Sequence, residues 1–469
     1  MAQVLRILTN PTHIPARKRL RARAGAKPFN AARFAAGAFA LLIGFTSPFL
    51  VHLVGEVPVA EIILPLILPV LIVTRRRDMF KPTMRTLLIL LGVWLAGQIM
   101  TDMYRHTMAV DWIRGDANIV FFVMDLLVFV ALLGKSVRRL VLYTFGFSVG
   151  KIFATLLHMG GNQQQGTASS WKFGYAPACI LLVFLVCCFL YRRRNYAVVV
   201  LLLLAFCAVN VVLNFRSQVL FIFVVITMTV PVVPEQIGRL QLLPPEGTTA
   251  RLLAVAALAL CAGGVALGII EFATSSGLLG AEAQAKNEKQ AQAAGGILLG
   301  GRPEILVSSR AILESPILGY GSWPKDPKYV EMLGDIRSQN GIPMNIETDE
   351  ETKGGIIPSH SCIFGAWVAA GVLGTLFWFY LLSPLFKAMV KISILRTPMA
   401  PLYAYFFVDL LWNIFFSPFA GNHRLSTALE IIVMINVLEA PMPALVKKTV
   451  SRFSGAWNGQ TRWRPSVRI

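Results

Sequence analysis

The sequence predicts an all-α, polytopic helical membrane protein with about twelve transmembrane helices and one large, partly helical loop on the non-cytoplasmic side. Three observations predict it. Of 469 residues, 55% are hydrophobic and 14% charged, with a mean hydropathy of +0.63, whereas soluble domains carry about 25% charged residues. Apolar runs of roughly 17–25 residues, the length that crosses a bilayer, recur along the chain. The excess of basic residues, net +20, is gathered between those runs, as the positive-inside rule expects. Membrane lipids are therefore expected partners, and nucleic acid is not.

The runs cover 34–54, 58–73, 86–104, 117–134, 138–157, 174–191, 195–213, 216–233, 252–270, 361–386, 400–419 and 424–442. The second is short and holds Pro65 and Pro69, which predicts a kink or a partly re-entrant segment. Residues 1–33 carry eight Lys/Arg and no acid. The run from Phe34 is long enough to span and has no cleavage site, so it reads as a first span and not a cleaved signal. All six cysteines (Cys179, Cys187, Cys188, Cys207, Cys261, Cys362) lie in or beside apolar stretches, so no disulfide scaffold is expected.

Charge sets the orientation. With a cytoplasmic N-terminus, segments 1–33, 74–85, 135–139, 192–194, 234–251, 387–396 and 443–469 lie inside and hold 30 of the 44 Lys/Arg residues against three acids. The reverse topology moves most of that charge across the membrane. Five regions follow: a basic cytoplasmic N-terminal segment 1–33, nine spans in 34–270, an outer loop domain 271–359, three spans in 360–442 and a basic cytoplasmic tail 443–469. The loop carries eight basic and twelve acidic residues, so it is no simple anchor for anionic lipid.

Within the loop, 282–294 is rich in Ala, Gln, Glu and Lys and reads as a polar helix. Pro303 at a first-turn position, followed by Ile305, Leu306, Ala311 and Ile312, predicts an amphipathic helix ending near Ser315-Pro316. Gly319-Tyr320-Gly321 reads as a turn and Glu347-Thr348-Asp349-Glu350-Glu351 as a solvated acidic run.

Four residues in or beside this loop suit chemistry. Arg216 opens the eighth span on the loop side, where an arginine either snorkels to the interface or binds an anion. Arg302, after Gly300-Gly301, has neighbours that permit close approach to a ligand and a guanidinium fork suited to phosphate. Arg310, eight residues on, is two helical turns away and is expected to share that face. Pro358 starts the next span near Ser359 and sets His360 in its first turn, where a neutral imidazole accepts a proton; an interfacial or capping histidine is the plainer alternative. Asp125, Lys151 and Asp409 fall inside spans. Asp125 and Lys151, at similar depth on adjacent spans, are expected to form a structural ion pair; a transport pathway lined by these three is the competing reading. Asn422-His423-Arg424 forms a second polar turn on the loop side. No cluster has metal-ligand spacing, and there is no P-loop, dinucleotide fingerprint or Gly-x-Ser-x-Gly elbow, so no metal and no cofactor is expected.

Three segments together resemble the O-antigen ligases, in the superfamily that also holds O-antigen polymerases and bacterial O-linked oligosaccharyltransferases. They are Asn214-Phe215-Arg216-Ser217; Gly301-Arg302 followed by Ala311 to Gly321 with its Pro-x-x-Gly-x-Gly turn; and His360 with Gly371 and Gly374, a His-x10-Gly-x2-Gly spacing. Two features depart from the family pattern: Ser361 follows the histidine where asparagine is frequent, and Phe215-Arg216-Ser217-Gln218 lacks the common Ser-Arg-Gly form. The resemblance implies an inner-membrane enzyme with both termini cytoplasmic and a periplasmic site. Its donor would be a glycan on undecaprenyl diphosphate, its acceptor a sugar hydroxyl of lipid A–core, and its product lipopolysaccharide. It implies His360 as the catalytic base or orienting group, and Arg216, Arg302 and Arg310 as partners of the diphosphate. Polymerase and protein-glycosylating roles belong to the same superfamily and remain open.

Overall fold

The computed structural model describes residues 31–52, 55–159, 170–213, 215–229, 302–339, 354–395, 397–419 and 421–441, with scattered residues between 257 and 284. Most of the expected ninth span, the polar helix 282–294, the acidic run 347–351, Asn214, Gly300, Gly301, segment 234–251 and nearly all of both terminal segments lie outside the described residues.

Helices lie over the other eleven expected spans: α1 (Ala31–Thr46), α2 (Val59–Met79), α3 (Pro82–Arg105), α4 (Ala109–Leu132), α5 (Val137–Leu156), α6 (Ala176–Arg192), α7 (Tyr196–Val212), α8 (Arg216–Thr229), α11 (Cys362–Leu395), α12 (Ala400–Phe416) and α13 (Asn422–Glu439). Between α8 and α11 the loop contributes α9 (Pro303–Glu314) and α10 (Pro327–Gln339). Among the described residues five helical segments are long and apolar enough to cross a membrane: α3, α4, α5, Ser170–Arg192 and Cys362–Ser393. The segment Ser170–Tyr175 that leads into α6 is a short π-helix.

Two features depart from the apolar pattern. The first run, expected to continue to residue 54, stops as a helix at Thr46. Pro48 disfavours helix in the residue before it, and a two-stranded antiparallel hairpin, β1 (Leu50–His52) with β2 (Glu56–Pro58), follows. Helix α2 runs through both Pro65 and Pro69, and its non-helical residue is Arg75. The break therefore falls in the basic turn and not at the prolines.

Helices α1 and α5 approach each other closely. A Cβ on Gly44, Gly146 or Gly150 would overlap the backbone of the facing helix, at Tyr143, Leu41 and Phe45 respectively. Small residues permit such contact between apolar helices, where van der Waals packing replaces the hydrophobic drive. The bundle has two distinct ends. At one, Lys81 and Lys135 both reach Glu439 (3.9 and 2.8 Å), and Lys391 Nζ donates to the carbonyls of Leu438 and Ala440. The loop helices dock at the other.

Candidate functional site at the loop end of the bundle

The loop is fastened to the bundle by the turn that follows α9. Helix α11 is broken at Ala370 and Gly371, the latter at φ +60° and ψ −153°. The break releases carbonyls that a continuous helix would use internally. Tyr320 N–H donates to Val368 O (2.7 Å), Gly321 N–H to Ala369 O (2.9 Å), and Val372 N–H to Ile317 O (3.3 Å). A Cβ on Gly371 would overlap the Ile317 carbonyl, and one on Gly374 the Ala366 carbonyl across the kink. Gly371 thus admits the Pro-x-x-Gly-x-Gly turn, and Gly374 lets the two parts of α11 approach across the kink. On its other side that turn meets α3. Thr101 Oγ1 donates to Leu318 O (2.5 Å), Arg105 to Gly319 O (2.8 and 3.1 Å), and buried Asp102 accepts from both Ser322 N–H (2.6 Å) and Ser322 Oγ–H (2.5 Å). Val307, Ala311, Ile312, Tyr329, Leu333 and Ile357 close a small apolar core over Val368.

His360 stands before helix α11 and not within its first turn as the sequence suggested. The helix begins at Cys362, and Ser361 caps it: the Ser361 hydroxyl accepts from Phe364 N–H (3.3 Å). The same hydroxyl donates to Ile414 O (2.9 Å), and Cys362 Sγ–H to Ser417 O (3.3 Å). The backbone beside His360 is therefore pinned to the last turn of α12. Serine and asparagine are comparable N-caps, which gives the family departure at Ser361 a physical reading.

Arg302 reaches the same turn from the loop. It is the residue before α9, its Nη1 donates to Phe416 O (2.5 Å), and its guanidinium lies over the rings of Trp412 (5.7 Å) and Phe416 (5.8 Å). Arg216 is the first residue of α8, and Phe221, five residues further along that helix, packs on Trp412 (5.3 Å). Glu271, at the start of the polar segment, lies within electrostatic reach of Arg216. The loop end of α12 thus supports Arg302 directly and His360 through its neighbours Ser361 and Cys362.

Arg310 does not join them. Its Nε donates to Glu314 (2.8 Å), one turn along α9, and its side chain is 58% exposed. Arg302 precedes the helix, so helical spacing does not relate the two. Glu314 is instead the centre of an outer network with Lys328 and Tyr329 (2.6 and 2.7 Å) that ties α9 to α10. The Lys328 ammonium, with the Tyr329 hydroxyl, holds the Glu314 carboxyl down to about 2, and burial pushes the Tyr329 phenol up.

The expected Asp125–Lys151 pair is not formed. Asp125 lies beside Glu61, which pairs with Arg424 at 2.5 Å; Arg424 also donates to Asn118. Depth along a span is legible from sequence, but the direction a residue faces depends on how neighbouring helices turn. Asp409, the third intramembrane candidate, accepts from Asn413 Nδ2 (3.2 Å). Sequence reasoning missed Glu61 and Asp102, although an acid inside an apolar run was visible in both cases. Between α12 and α13 the Phe419 ring packs on Phe122 (5.0 Å), Trp94 and Trp378 (both 5.4 Å). His423, near the start of α13, lies within electrostatic reach of His360 and Lys151.

An apolar groove along α4, walled by Trp112, Ile113, Val120 and Phe121, includes none of His360, Arg216 and Arg302. Among the described residues no group of three or more His, Cys, Asp or Glu side chains is placed to hold a metal ion. No protein-family model and no curated protein matches this chain.

Proposed function

We propose that the protein is an inner-membrane glycosyltransferase that moves O-antigen glycan from undecaprenyl diphosphate to a sugar hydroxyl of lipid A–core, completing lipopolysaccharide. In this reading the chain crosses the membrane twelve times, both termini are cytoplasmic, and the loop end of the bundle faces the periplasm. What supports the reading is that Arg302 and the residue after His360 are both held by the last turn of α12; Arg216 opens the helix whose Phe221 packs on Trp412. A base and two guanidinium groups at the mouth of a membrane bundle, under a docked cap, suit a substrate whose leaving group is a lipid diphosphate.

The reaction is a single displacement. The acceptor hydroxyl gives its proton to His360 as its oxygen bonds to the anomeric carbon. The bond from that carbon to the diphosphate oxygen breaks, and the electron pair leaves with the lipid diphosphate, inverting the anomeric centre. Arg216 and Arg302 face the charge that develops on the leaving group, where a preset donor is worth most. The stacked and hydrogen-bonded Arg302 holds its plane without substrate, so little ordering is left for the transition state. The leaving group is already activated, so the mechanism uses no nucleotide and is metal-independent.

Purified protein, offered a defined lipid-diphosphate glycan with either lipid A–core or a second donor molecule, and with or without a chelator, tests this. Transfer to lipid A–core, unaffected by chelator, is expected. Growth of the donor glycan alone would make the protein a polymerase, and loss of transfer in chelator would contradict the metal-free mechanism.

A further inference from the structure

Helix α9 presents an exposed stripe. Leu306, Arg310 and Leu313 follow one another at helical spacing on one face, and Leu313 is 73% exposed. Ile317, in the turn after the helix, is 71% exposed. The other face of α9, with Val307, Ala311 and Ile312, is buried over Val368. Single exposed leucines are ordinary on a water-facing surface. The place of this stripe in the fold is what sets it apart.

Its lower end runs into the apolar surface of the bundle. Val372 N–H donates to Ile317 O (3.3 Å), and Val372 opens a second exposed stripe, with Leu376 and Phe379, on the segment Cys362–Ser393, which is long and apolar enough to cross a membrane. Trp367 joins the two. Its indole N–H donates to Pro316 O (2.9 Å), and its ring meets Phe379 edge-on (6.1 Å). On the α3 side the same turn is bonded to Thr101 and Arg105, next to exposed Tyr104. Tryptophan and tyrosine are the residues that gather at a membrane–water boundary.

Helix rise gives the depth. Lys387 is the first charged residue of α11, and Val372 lies fifteen residues before it, about 22 Å away along the helix. On α3, Thr101 lies sixteen residues, about 24 Å, from Arg85. At the other end of α9, Arg302 reaches Phe416 O, which is sixteen residues, again about 24 Å, from Ala400 at the start of α12. Kinks and tilt only shorten these distances across a bilayer. Lys387 and Arg85 mark the far edge of the apolar layer, whose hydrocarbon is about 30 Å thick. Both ends of α9 therefore lie at leaflet depth, and the helix runs along the membrane plane.

We propose that α9 and the turn after it are seated in the leaflet at the loop end of the bundle, with Leu313 and Ile317 among lipid acyl chains. Arg310, bonded through Nε to Glu314 and 58% exposed, stands at the level of the headgroup phosphates. An apolar stripe interrupted by a basic residue is how interfacial helices hold a bilayer surface. The partner is the bilayer itself, and the cap is in part a membrane element. This does not rest on the transfer reading, because lipid contact is measured without substrate.

The test uses the full-length protein in nanodiscs of phosphatidylethanolamine and phosphatidylglycerol. The photocrosslinker p-benzoylphenylalanine replaces, one at a time, Leu313, Ile317, Phe379 as the lipid-facing reference and Glu331, exposed on α10, as the water-facing reference. Mass spectrometry reads adducts to lipid acyl chains. Positions 313 and 317 should give lipid adducts within about threefold of position 379 and at least tenfold above position 331. In the unmodified protein, an apolar diazirine that partitions into the bilayer should label Leu313 and Ile317 as it labels Phe379, a measurement that survives if a substituted protein fails to assemble. Lipid adducts no more frequent than at position 331, adducts to a second copy of the chain in place of lipid, or no diazirine label at 313 and 317 would overturn the proposal. Lipid adducts at both positions in a protein without glycan transfer leave α9 seated in the leaflet and remove the transfer reading.

Discussion

The Ile317 carbonyl occupies the space that a Cβ on Gly371 would need, and Val372 N–H donates to that same carbonyl. One peptide group of the loop is thereby inserted into the break in α11, eleven residues after His360. Gly371 is at φ +60°, a region that L side chains occupy at a cost of about 1–3 kcal/mol. Gly371→Ala adds a steric overlap to that strain. The variant should lose the Tyr320 and Gly321 backbone bonds, become sensitive to proteolysis within 302–339, and lose activity although His360 is untouched. Wild-type protease resistance in this variant would show that the cap is held elsewhere.

Asp102 makes the second attachment. It is buried and takes both donors of Ser322, and Gln98 Nε2 donates to the same serine (2.8 Å). Asp102→Ala leaves a buried N–H without its acceptor, a loss of about 1–3 kcal/mol for that group alone. Asp102→Asn retains one carbonyl acceptor and should lose less. Thermal unfolding in detergent checks the order wild type, Asn, Ala.

The Glu61–Arg424 pair, 0% and 2% exposed, behaves as a unit. Arg424→Met alone strands a carboxylate and should destabilise by about 3–5 kcal/mol, while Glu61→Leu with Arg424→Met should recover much of the loss. A double variant as unstable as the single one would mean that the pair is not coupled.

Glu314 gives the cap an acid limit. Its carboxyl, ordinarily near 4.5, is held to about 2 by Lys328 and Tyr329. A depressed carboxyl contributes stability that is present above pH 4.5 and is lost as the pH falls toward 2. The pair is exposed and screened by salt, so the effect is small. In Glu314→Gln, protease sensitivity of α9–α10 should change less across this acid range than in wild type, and added salt should blunt the wild-type response.

The helices were legible because apolar runs and charged turns report them directly, as over 86–104 and 117–134. The hairpin at 50–58 was not, since Leu50, Val51, Val57 and Val59 look like span residues. Among the candidate residues, order along the chain and an expected shared membrane side pointed to His360, Arg216 and Arg302; in the fold Arg302 and the residue after His360 meet the end of α12. The same reading failed for Arg310, where a local i,i+4 carboxylate takes the guanidinium, and for Asp125, whose facing direction depends on helix rotation. Glycine spacing flagged Gly371 and Gly374 without revealing that they shape a helix break.

In the proposed transfer, His360 acts on the acceptor hydroxyl at a site completed by the two arginines. Arg302→Ala should lower kcat by about 10²–10³, with Arg302→Lys recovering only part because a point charge lacks the fork.

The most direct measurement is the single-turnover transfer rate of purified His360→Ala beside wild type, with the same donor and lipid A–core and with matched thermal stability. A folded variant slower by about 10²–10⁴ is expected if His360 is the base. Transfer within a few-fold of wild type would contradict it.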